Sequence, residues 1–287
     1  MTATTPARLP LPAPAKLNLF LHVTGRRADG YHQIESVFVP ISLADTVTLT
    51  LRVDGQVRLL DAPPGLNEEN DLACRAARAL QHATGSRLGV DIHLQKRIPQ
   101  GGGLGGGSSD AATTLLGLNR LWALQQSRDQ LRALGASLGA DVPFFIFGQP
   151  AFVSGVGERL LAMSLPVSNY VVAFPGIGVA TASVFADSNL TRNTTTTGST
   201  VFPENYGRND LQPVAERLQP RISELGAAFI HAGAKPRISG SGACMFAPTH
   251  DGATSRTLAA RLCSAGWQSW AVRSLARHPL LGFVSAS

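Results

Sequence analysis

Residues 99–112 read P-Q-G-G-G-L-G-G-G-S-S-D-A-A, and six of them are glycine. Just before this stretch, apolar and polar residues alternate over residues 90–95, which is the period of a half-buried strand. Just after it, apolar residues recur at helical spacing over residues 111–122. A run of glycine needs a physical reason, because glycine loses more backbone entropy on folding than other residues. The sequence therefore predicts a strand, a glycine loop and a helix in direct succession.

The junction between this loop and the helix has the chemistry of an anion site. Ser108, Ser109 and Asp110 carry side chains that can cap the start of a helix. Glycine amides can point their N–H groups outward, at the positive end of the helix dipole, without obstruction by side chains. A phosphate group is the most natural ligand of such a site. We therefore predict that the loop binds a phosphate.

Other interpretations of the glycine run are weaker. No lysine follows the glycines, which excludes a Walker A motif. Gly101, Gly103 and Gly106 fit the G-x-G-x-x-G pattern of dinucleotide folds, but this match carries little weight in so glycine-rich a stretch. The acid that such a fold needs is also missing, since nearby Asp129 lies in a second predicted helix capped by Ser127. A flexible linker is disfavoured because a patterned strand and helix flank the run directly.

Length and composition limit the class of protein. The chain has 287 residues, 44% of them hydrophobic, which suits one large domain or two of ordinary size. The net charge of +6 indicates a solvated surface or attraction of anionic substrates. The sequence contains no basic run with interleaved aromatic residues, which argues against a dedicated nucleic-acid binder. Three widely spaced cysteines fit a reducing cytosol without a zinc site. We find no apolar run of membrane-spanning length and no signal-peptide core in the first dozen residues.

The order of the predicted elements is mixed rather than strictly alternating, which indicates an α+β protein. We predict a flexible lead-in at residues 1–13, an N-terminal domain at 14–160 and a C-terminal domain at 161–287. Two separate strands are predicted at residues 34–41 and 45–53. Residues 189–200 are rich in threonine and low in apolar side chains, which predicts a mobile loop.

Four further motifs accompany the glycine loop. They read P-A-K-L-N-L-F-L at residues 14–21, R-A-D-G-Y-H at 27–32, G-A-D-V-P-F-F at 139–145 and I-S-G-S-G-A-C at 238–244. Together with the loop they resemble the motifs of the GHMP kinases, the superfamily of galactokinase, homoserine kinase and mevalonate kinase. The resemblance extends from about residue 14 to about residue 272. It implies a two-domain GHMP kinase fold with the active site in the cleft between the domains.

The resemblance also implies an activity. The combination of motifs is most similar to the GHMP kinases whose acceptor is a cytidine diphosphate ester of methylerythritol, in the non-mevalonate isoprenoid pathway. It implies ATP-dependent phosphorylation of the 2-hydroxyl of this small molecule, with Mg²⁺ as the partner of ATP and only Ser108 as a candidate protein ligand for the metal. It further implies a bacterial cytoplasmic enzyme, a monomer or weak homodimer, that binds neither nucleic acid nor a membrane.

Lys16 and Asp141 are the predicted catalytic residues. Lys16 is one of three lysines in the chain and lies in the first motif, although a solvated surface lysine is the usual alternative. Asp141 precedes the apolar residues 142–147, where it is either a functional acid or the cap of a helix with proline in its first turn. The resemblance favours catalysis, in which Asp141 accepts or orients the hydroxyl proton and Lys16 stabilises developing charge.

The resemblance assigns two further sets of residues. The nucleotide set is Leu72, Lys96, Pro99, Gln100, Gly101, Gly102, Gly103, Leu104, Gly105, Gly106, Gly107, Ser108 and Ser109. The acceptor set is Asn18, Tyr31, His32, Thr181, Phe185, Gly240 and Ser241. Within it, Tyr31 and Phe185 would stack on the cytosine and His32 would hydrogen-bond it. Two residues depart from the family pattern. Asp71 replaces a residue whose adenine contact is therefore in doubt, and Asp110 adds a negative charge near the phosphates.

Alternatives remain open from sequence alone. The N-terminal half of GHMP kinases resembles a ribosomal-protein domain, so a basic chain with this fold could bind RNA. A dinucleotide-dependent oxidoreductase is a further class. Tyr31 and His32 could simply pack beside a turn, and residues 239–242 could form an ordinary hairpin. Lys16, Asp141 and the glycine loop together favour the kinase, because RNA binding would not require that acid.

Overall fold

A computed structural model describes residues 7–61, 67–197 and 207–284. Residues 1–6 of the predicted lead-in and residues 198–200 of the predicted loop lie outside these ranges. The strands, in chain order, are β1 (Arg8–Arg26), β2 (His32–Arg52), β3 (Val57–Leu60), β4 (Gly89–Gln95), β5 (Ala151–Ser154), β6 (Arg159–Ala162), β7 (Asn169–Phe174), β8 (Arg237–Ile238), β9 (Met245–Thr249) and β10 (Gln268–Arg273). The helices are α1 (Leu72–Thr84), α2 (Gly106–Leu121), α3 (Arg128–Ala136), α4 (Val142–Phe147), α5 (Thr181–Ala186), α6 (Gln212–Leu218), α7 (Pro220–His231) and α8 (Gly252–Ser264), followed by a short 3₁₀ turn at Leu281–Phe283.

The first sheet is built on β2, a strand of 21 residues. β1 runs antiparallel along one edge of β2, while β4 and β5 pair with opposite ends of its other edge. β3 joins β4 in parallel and β6 joins β5 in antiparallel orientation. The prediction of two strands in place of β2 is therefore wrong, because β1 pairs along nearly its whole length and keeps it continuous.

The start of β1 also corrects the predicted lead-in. Residues 8–13 pair in register with β2, from Arg8 opposite Thr50 to Ala13 opposite Asp45. Leu11 and Ala13 are buried in the core of the first sheet. Backbone pairing and side-chain burial therefore order these residues, which the sequence placed in a flexible segment.

Helices α1 to α4 cover one face of the first sheet. α2 is buried along most of its length, since it packs against β1, β2, α1 and α4. Asp71 caps the start of α1, because its carboxylate accepts from the amides of Ala73 and Cys74. The predicted cap of α3 is confirmed, because Ser127 and Gln130 form a reciprocal capping box.

The second sheet has the strand order β10-β7-β9-β8 and is antiparallel throughout. Helices α5 to α8 supply most of the apolar side chains that pack on one of its faces. The chain passes from the first sheet to the second between Ala162 and Asn169. The predicted boundary at residue 160 is therefore misplaced, because it cuts β6, which pairs with β5 in the first sheet.

The described end of the chain returns to the first domain. Leu280 and Val284 belong to the apolar core under the first sheet. Arg128 of α3 donates to the backbone carbonyls of Leu281 and Val284 at 2.6 and 2.9 Å. The prediction that all of residues 161–287 form the second domain is wrong for this tail, whose contacts are too distant in sequence to be read from the pattern.

A third apolar cluster joins the two sheets. Residues of β1 and β2 meet residues of β7, β9 and β10 there, and the ends of the glycine loop add Ile98 and Leu104. The strand residues are Ala15, Leu17, Leu19, Phe20, Val37, Val39, Ile41, Leu43, Tyr170, Val172, Phe246 and Val272. β1 is therefore buried on both faces over its central part. The glycine loop consequently lies where the two domains meet.

Candidate active site

The glycine loop connects β4 to α2, as the sequence predicts. α2 begins at Gly106, and its cap residue Gly105 has a φ of 72° and no capping side chain. The first amides of a helix have no acceptor within the helix, so those of α2 remain uncapped at its positive end. The predicted caps Ser108, Ser109 and Asp110 instead lie inside the helix. The helix start thus has the properties of a phosphate site.

The loop lines a cavity of about 280 Å³. The predicted nucleotide residues that line it are Leu72, Lys96, Pro99, Gln100, Gly101, Gly102, Gly103, Leu104, Gly105, Gly106, Gly107 and Ser108. Ser109 does not line it. The Ser109 amide donates to the carbonyl of Gly105 at 2.9 Å, and its hydroxyl donates to the carbonyl of Pro14 at 2.7 Å. The prediction for Ser109 is therefore corrected, because both donors serve the fold.

Close backbone contacts tie the glycine loop to the turn at residues 239–242. A Cβ atom on Gly103 would lie 2.1 Å from the carbonyl oxygen of Ser239 and 2.8 Å from that of Gly242. Gly103 also has a φ of 73°, which favours glycine. The amide of Cys244 donates to the carbonyl of Gly102 at 3.0 Å. The turn is thus part of the cleft rather than an isolated hairpin.

Lys96 is held in a buried ionic cluster. Its ammonium bonds the carboxylates of Asp45 and Asp110. Burial opposes the charge of Lys96, but the charges of Asp110 and Asp45 outweigh it and raise the pKa of the ammonium. Burial raises the pKa of the Asp110 carboxyl to about 7, while the charge of Lys96 opposes this rise. Asp110 therefore does not add an unpaired negative charge near the phosphates, because its carboxylate bonds Lys96.

Lys16 and Asp141 meet in the cleft. The Lys16 side chain is 4% exposed, and its Nζ lies 3.5 Å from Oδ2 of Asp141. Lys16 also donates to Oδ1 of Asn18 and lies 4.6 Å from the centroid of the Phe38 ring. Asp141 stands at the cap position of α4, yet its side chain makes no capping hydrogen bond. The geometry thus fits a functional acid better than a helix cap.

Asn18 connects this pair to both domains. Its amide nitrogen Nδ2 donates to Oγ of Ser36 at 3.0 Å, which fixes the orientation of the side chain. Its backbone amide donates to Oγ of Ser239 at 3.2 Å, and that hydroxyl donates to the carbonyl of Gly103 at 3.1 Å. The ammonium of Lys16 is therefore oriented by hydrogen bonds that span the glycine loop and the 239–242 turn.

A second, larger cavity of about 850 Å³ extends from this pair along the cleft. It is lined by all the predicted catalytic and acceptor residues: Lys16, Asn18, Tyr31, His32, Asp141, Thr181, Phe185, Gly240 and Ser241. Gly103, Gly105 and Ser108 line both this cavity and the smaller one. The two cavities therefore meet at the glycine loop, beside Lys16 and Asp141.

The far end of the larger cavity is aromatic. The rings of His32 and Phe185 lie 5.1 Å apart at an interplanar angle of 32°. Tyr31 lines the same cavity and is 66% exposed, which leaves its ring open to contact. The hydroxyls of Thr181 and Ser241 are 2.7 Å apart and join α5 to the 239–242 turn. This end of the cleft can hold a planar, polar ring system.

Comparisons with known proteins identify the family. The family model for the GHMP kinases N terminal domain matches residues 71–149, and that for the GHMP kinases C terminal domain matches residues 200–267. A 4-diphosphocytidyl-2-C-methyl-D-erythritol kinase from Ralstonia nicotianae is 49% identical over 278 residues, covering 95% of this chain and 96% of the relative. The chain belongs to the 4-diphosphocytidyl-2-C-methyl-D-erythritol kinase family.

Further members and neighbours of this family agree. The kinase of the same name from Bordetella parapertussis is 54% identical over 241 residues, or 83% of this chain and 81% of the relative. A crystal structure of 4-(cytidine 5'-diphospho)-2C-methyl-D-erythritol kinase has a TM-score of 0.76 and 37% identity, covering 93% of this chain and 99% of the other. Homoserine kinase from Cytophaga hutchinsonii shares the fold with a TM-score of 0.67 and 15% identity, over 97% of each chain. The predicted α+β fold and kinase family are thereby confirmed.

Sequence reasoning missed several residues that shape the cleft of this family member. Arg192 bonds His32, although it lies in the stretch predicted as a mobile loop. Thr194 and Thr197 of the same stretch bond the carbonyl of Val23 and the carboxylate of Glu35. Residues 191–197 lie outside helices and strands, as predicted for a loop, but these contacts tie them to β1 and β2. A lone arginine in a threonine-rich segment was the available signal.

Within residues 7–61, 67–197 and 207–284, none of the helices is long and apolar enough to span a membrane. In the same ranges, no group of three or more histidine, cysteine or acidic side chains is arranged to hold a metal ion.

Proposed function

We propose that the chain transfers the γ-phosphoryl group of ATP to the 2-hydroxyl of 4-diphosphocytidyl-2-C-methyl-D-erythritol, giving the 2-phosphate and ADP in the non-mevalonate isoprenoid pathway. The observation that carries the proposal is the position of Lys16 and Asp141. They lie 3.5 Å apart where the glycine-loop cavity joins the cavity of His32 and Phe185. A phosphate donor on one side and a cytidyl acceptor on the other would meet at this pair.

The smaller cavity suits the nucleotide. Uncapped amides at the start of α2 would receive the β- and γ-phosphates, and Leu72 would pack beside the nucleotide. Gly107 leaves the room that this requires, since an added Cβ would meet only Leu72 at 3.5 Å. Lys96 contributes through its bonds to Asp45 and Asp110, which hold the end of β4 against α2. We therefore assign Lys96 to the support of the loop rather than to direct adenine contact.

The chemical step is an in-line displacement. The 2-hydroxyl oxygen forms a bond to the γ-phosphorus while the bond from that phosphorus to the bridging oxygen of ADP breaks. Asp141 takes up the hydroxyl proton, and Lys16 stabilises the charge that develops on the phosphoryl oxygens. Asn18 holds the Lys16 ammonium in place through their hydrogen bond. Positioning by a preformed cleft supplies most of the acceleration.

Mg²⁺ fits this site as a companion of the nucleotide. Because the described residues contain no three-residue cluster of metal-binding side chains, the phosphates would provide most of its oxygen ligands. Ser108, which lines both cavities, would supply a hydroxyl ligand from the protein. When bound, the ion neutralises phosphate charge and aligns the leaving group.

The larger cavity suits the cytidyl acceptor. Tyr31 and Phe185 would stack on the cytosine from opposite faces, and His32 would hydrogen-bond its edge. Thr181 and Ser241 line the same cavity with their hydroxyls 2.7 Å apart, and these hydroxyls would hydrogen-bond the diphosphate. We further propose a monomer or weak homodimer that does not bind nucleic acid. We place it in the bacterial cytoplasm, a reducing compartment that suits its three free cysteines.

An acceptor panel tests the function. The purified protein is mixed with Mg-ATP and one acceptor at a time: the cytidine diphosphate ester of methylerythritol, its uridine analogue, mevalonate or homoserine. Release of ADP is then followed by a coupled assay. We expect the highest kcat/KM with the cytidine ester. A higher value with any other acceptor, or no turnover above the acceptor-free rate, would refute the proposal.

A further inference from the structure

Arg192 contacts the histidine that is proposed to read the base. Its Nε–H donates to Nε2 of His32 at 3.0 Å. Its two terminal nitrogens donate to backbone carbonyls of the segment 185–192, to which Arg192 itself belongs. The distances are 3.0 Å for Leu190, 3.1 Å for Phe185 and 2.6 Å for Asp187. The planar guanidinium is thereby fixed on three sides, so its Nε–H has one direction in which to donate.

This contact decides which nitrogen of His32 carries the proton. A neutral imidazole has one N–H donor and one acceptor nitrogen. The Nε–H of Arg192 cannot act as an acceptor, so Nε2 of His32 must be the unprotonated nitrogen and Nδ1 carries the proton. Burial, followed by the charges of Arg192 and Arg26, lowers the pKa of His32. The ring therefore remains neutral near pH 7, with Nδ1–H as its only donor.

We propose that Arg192 is a positioning residue that holds His32 in the Nδ1–H tautomer and so makes the acceptor pocket select cytosine over uracil. The proposal rests on the function proposed above. It explains selectivity by the chemistry of one ring position. Nitrogen N3 of cytosine accepts a hydrogen bond, whereas N3 of uracil carries a hydrogen and donates one. A donor at Nδ1 therefore pairs with cytosine and opposes uracil, and the other tautomer would reverse this preference.

The position of Phe185 supports this role. Phe185 lies beside the His32 ring, and its carbonyl oxygen accepts from Arg192. One guanidinium thus fixes both the edge-reading ring and the residue proposed to stack on the base. The same segment has a second anchor, since Arg217 pairs with the carboxylate of Asp187 without contacting His32. The two arginines therefore offer a matched pair of variants.

The first test observes the tautomer directly. Uniformly ¹⁵N-labelled wild-type protein is studied at pH 7.5 by long-range ¹H–¹⁵N correlation of the imidazole rings, and a His32→Asn sample assigns the His32 signals among those of the seven histidines. We expect His32 with a protonated Nδ1 and an unprotonated Nε2. A protonated Nε2 in the wild type would overturn the proposal, even if no Arg192 variant could be purified.

The second test measures discrimination. Arg192→Met keeps an apolar stem and removes the donors, and Arg192→Lys keeps a charged donor group without the planar guanidinium. Arg217→Met removes the pairing with Asp187 and leaves the bond between Arg192 and His32 in place. For each variant, kcat/KM is measured with the cytidine and the uridine diphosphate esters. We expect the cytidine-to-uridine ratio to fall at least about tenfold in Arg192→Met, to recover partly in Arg192→Lys and to stay unchanged in Arg217→Met.

The outcomes separate this inference from the proposed function. Turnover of the cytidine ester by the wild type, with an unchanged ratio in Arg192→Met, would overturn the role of Arg192 and leave the function standing. An equal loss with both esters in Arg192→Met would mean that Arg192 only supports the fold of its segment, which also overturns the proposal. No turnover of the cytidine ester by the wild type would overturn both.

Discussion

Replacing Asp141 with asparagine separates the two roles that the residue could have. The substitution keeps size and shape but removes the carboxylate that lies 3.5 Å from Nζ of Lys16. If Asp141 takes up the acceptor proton, turnover should fall by about 10²–10⁴, the usual contribution of one acid–base group. ATP affinity should change little, because the uncapped amides of α2 are the proposed phosphate ligands.

The expected effect on stability is small. A capping aspartate is worth about 1 kcal/mol, but the Asp141 side chain makes no capping bond. The Asp141 side chain is 29% exposed, and the asparagine oxygen can still accept from the buried Lys16 ammonium, so we expect the change to cost no more than about 1 kcal/mol. Asp251 provides the matched control, since its carboxylate does cap α8 by accepting from the amide of Thr254 at 2.7 Å. Asp251→Ala should therefore lower stability by about 1 kcal/mol at unchanged turnover.

The assay combines steady-state kinetics, ATP binding by calorimetry and urea unfolding for both variants and the wild type. The account requires that Asp141→Asn loses kcat and keeps its unfolding midpoint, and that Asp251→Ala shows the opposite. Turnover of Asp141→Asn within a few-fold of wild type would refute the assignment of Asp141 as proton acceptor. So would a loss of turnover that is fully explained by unfolding.

Three further perturbations test other parts of the account. Gly107→Ala should raise the Kd for ATP by about tenfold, because the added methyl group would enter the nucleotide cavity. The thermal midpoint should not change, because that methyl group would meet only Leu72. An unchanged Kd would contradict the role of the loop in binding phosphate. Tyr31→Ala should weaken acceptor binding by about 1–3 kcal/mol and leave ATP affinity unchanged, and equal KM values for variant and wild type would remove the stacking role. Burial lowers the pKa of His278 to about 4, so the unfolded state binds more protons between pH 6.5 and pH 4 and stability falls as the pH falls through this window. His278→Asn keeps an acceptor for the amide of Leu280 but has no group that titrates. Between pH 6.5 and pH 4, its free energy of unfolding in urea should fall by up to about 3 kcal/mol less than that of the wild type. An equal fall in both proteins would contradict the buried neutral state.

Local chemistry made much of the site predictable. The glycine run, the alternating strand before it and the helical spacing after it locate the phosphate loop without any structure. Lys16 and Asp141 were identifiable because each lies in a short motif whose residue types match a known chemistry. The structure adds that the two side chains are in contact, which could not be predicted because they lie 125 residues apart in the chain.

Long-range pairing accounts for what the sequence missed. Residues 8–13 look like a disordered leader because they contain proline and small residues, and only their partner β2 makes them a strand. Lys96 was predicted to bind the nucleotide because its partners Asp45 and Asp110, 51 and 14 residues away along the chain, could not be paired with it from sequence. Arg192 was hidden in a segment whose composition resembles a mobile loop, although its contact with His32 spans 160 residues. In each case, the deciding partner lies on another element of the fold.

The most direct test of the central claim is the identity of the product. The protein is incubated with Mg-ATP and the cytidine diphosphate ester of 2-C-methyl-D-erythritol, and the mixture is observed by proton-coupled ³¹P NMR. Carbon 2 of this acceptor carries the methyl group and no hydrogen, so a phosphate on its hydroxyl has no three-bond coupling to a proton. We predict that the γ-phosphate signal of ATP is replaced by one new phosphomonoester singlet, with the diphosphate of the ester intact. A doublet or triplet would place the phosphate on another hydroxyl, and the lack of any new phosphomonoester signal would contradict the proposed function.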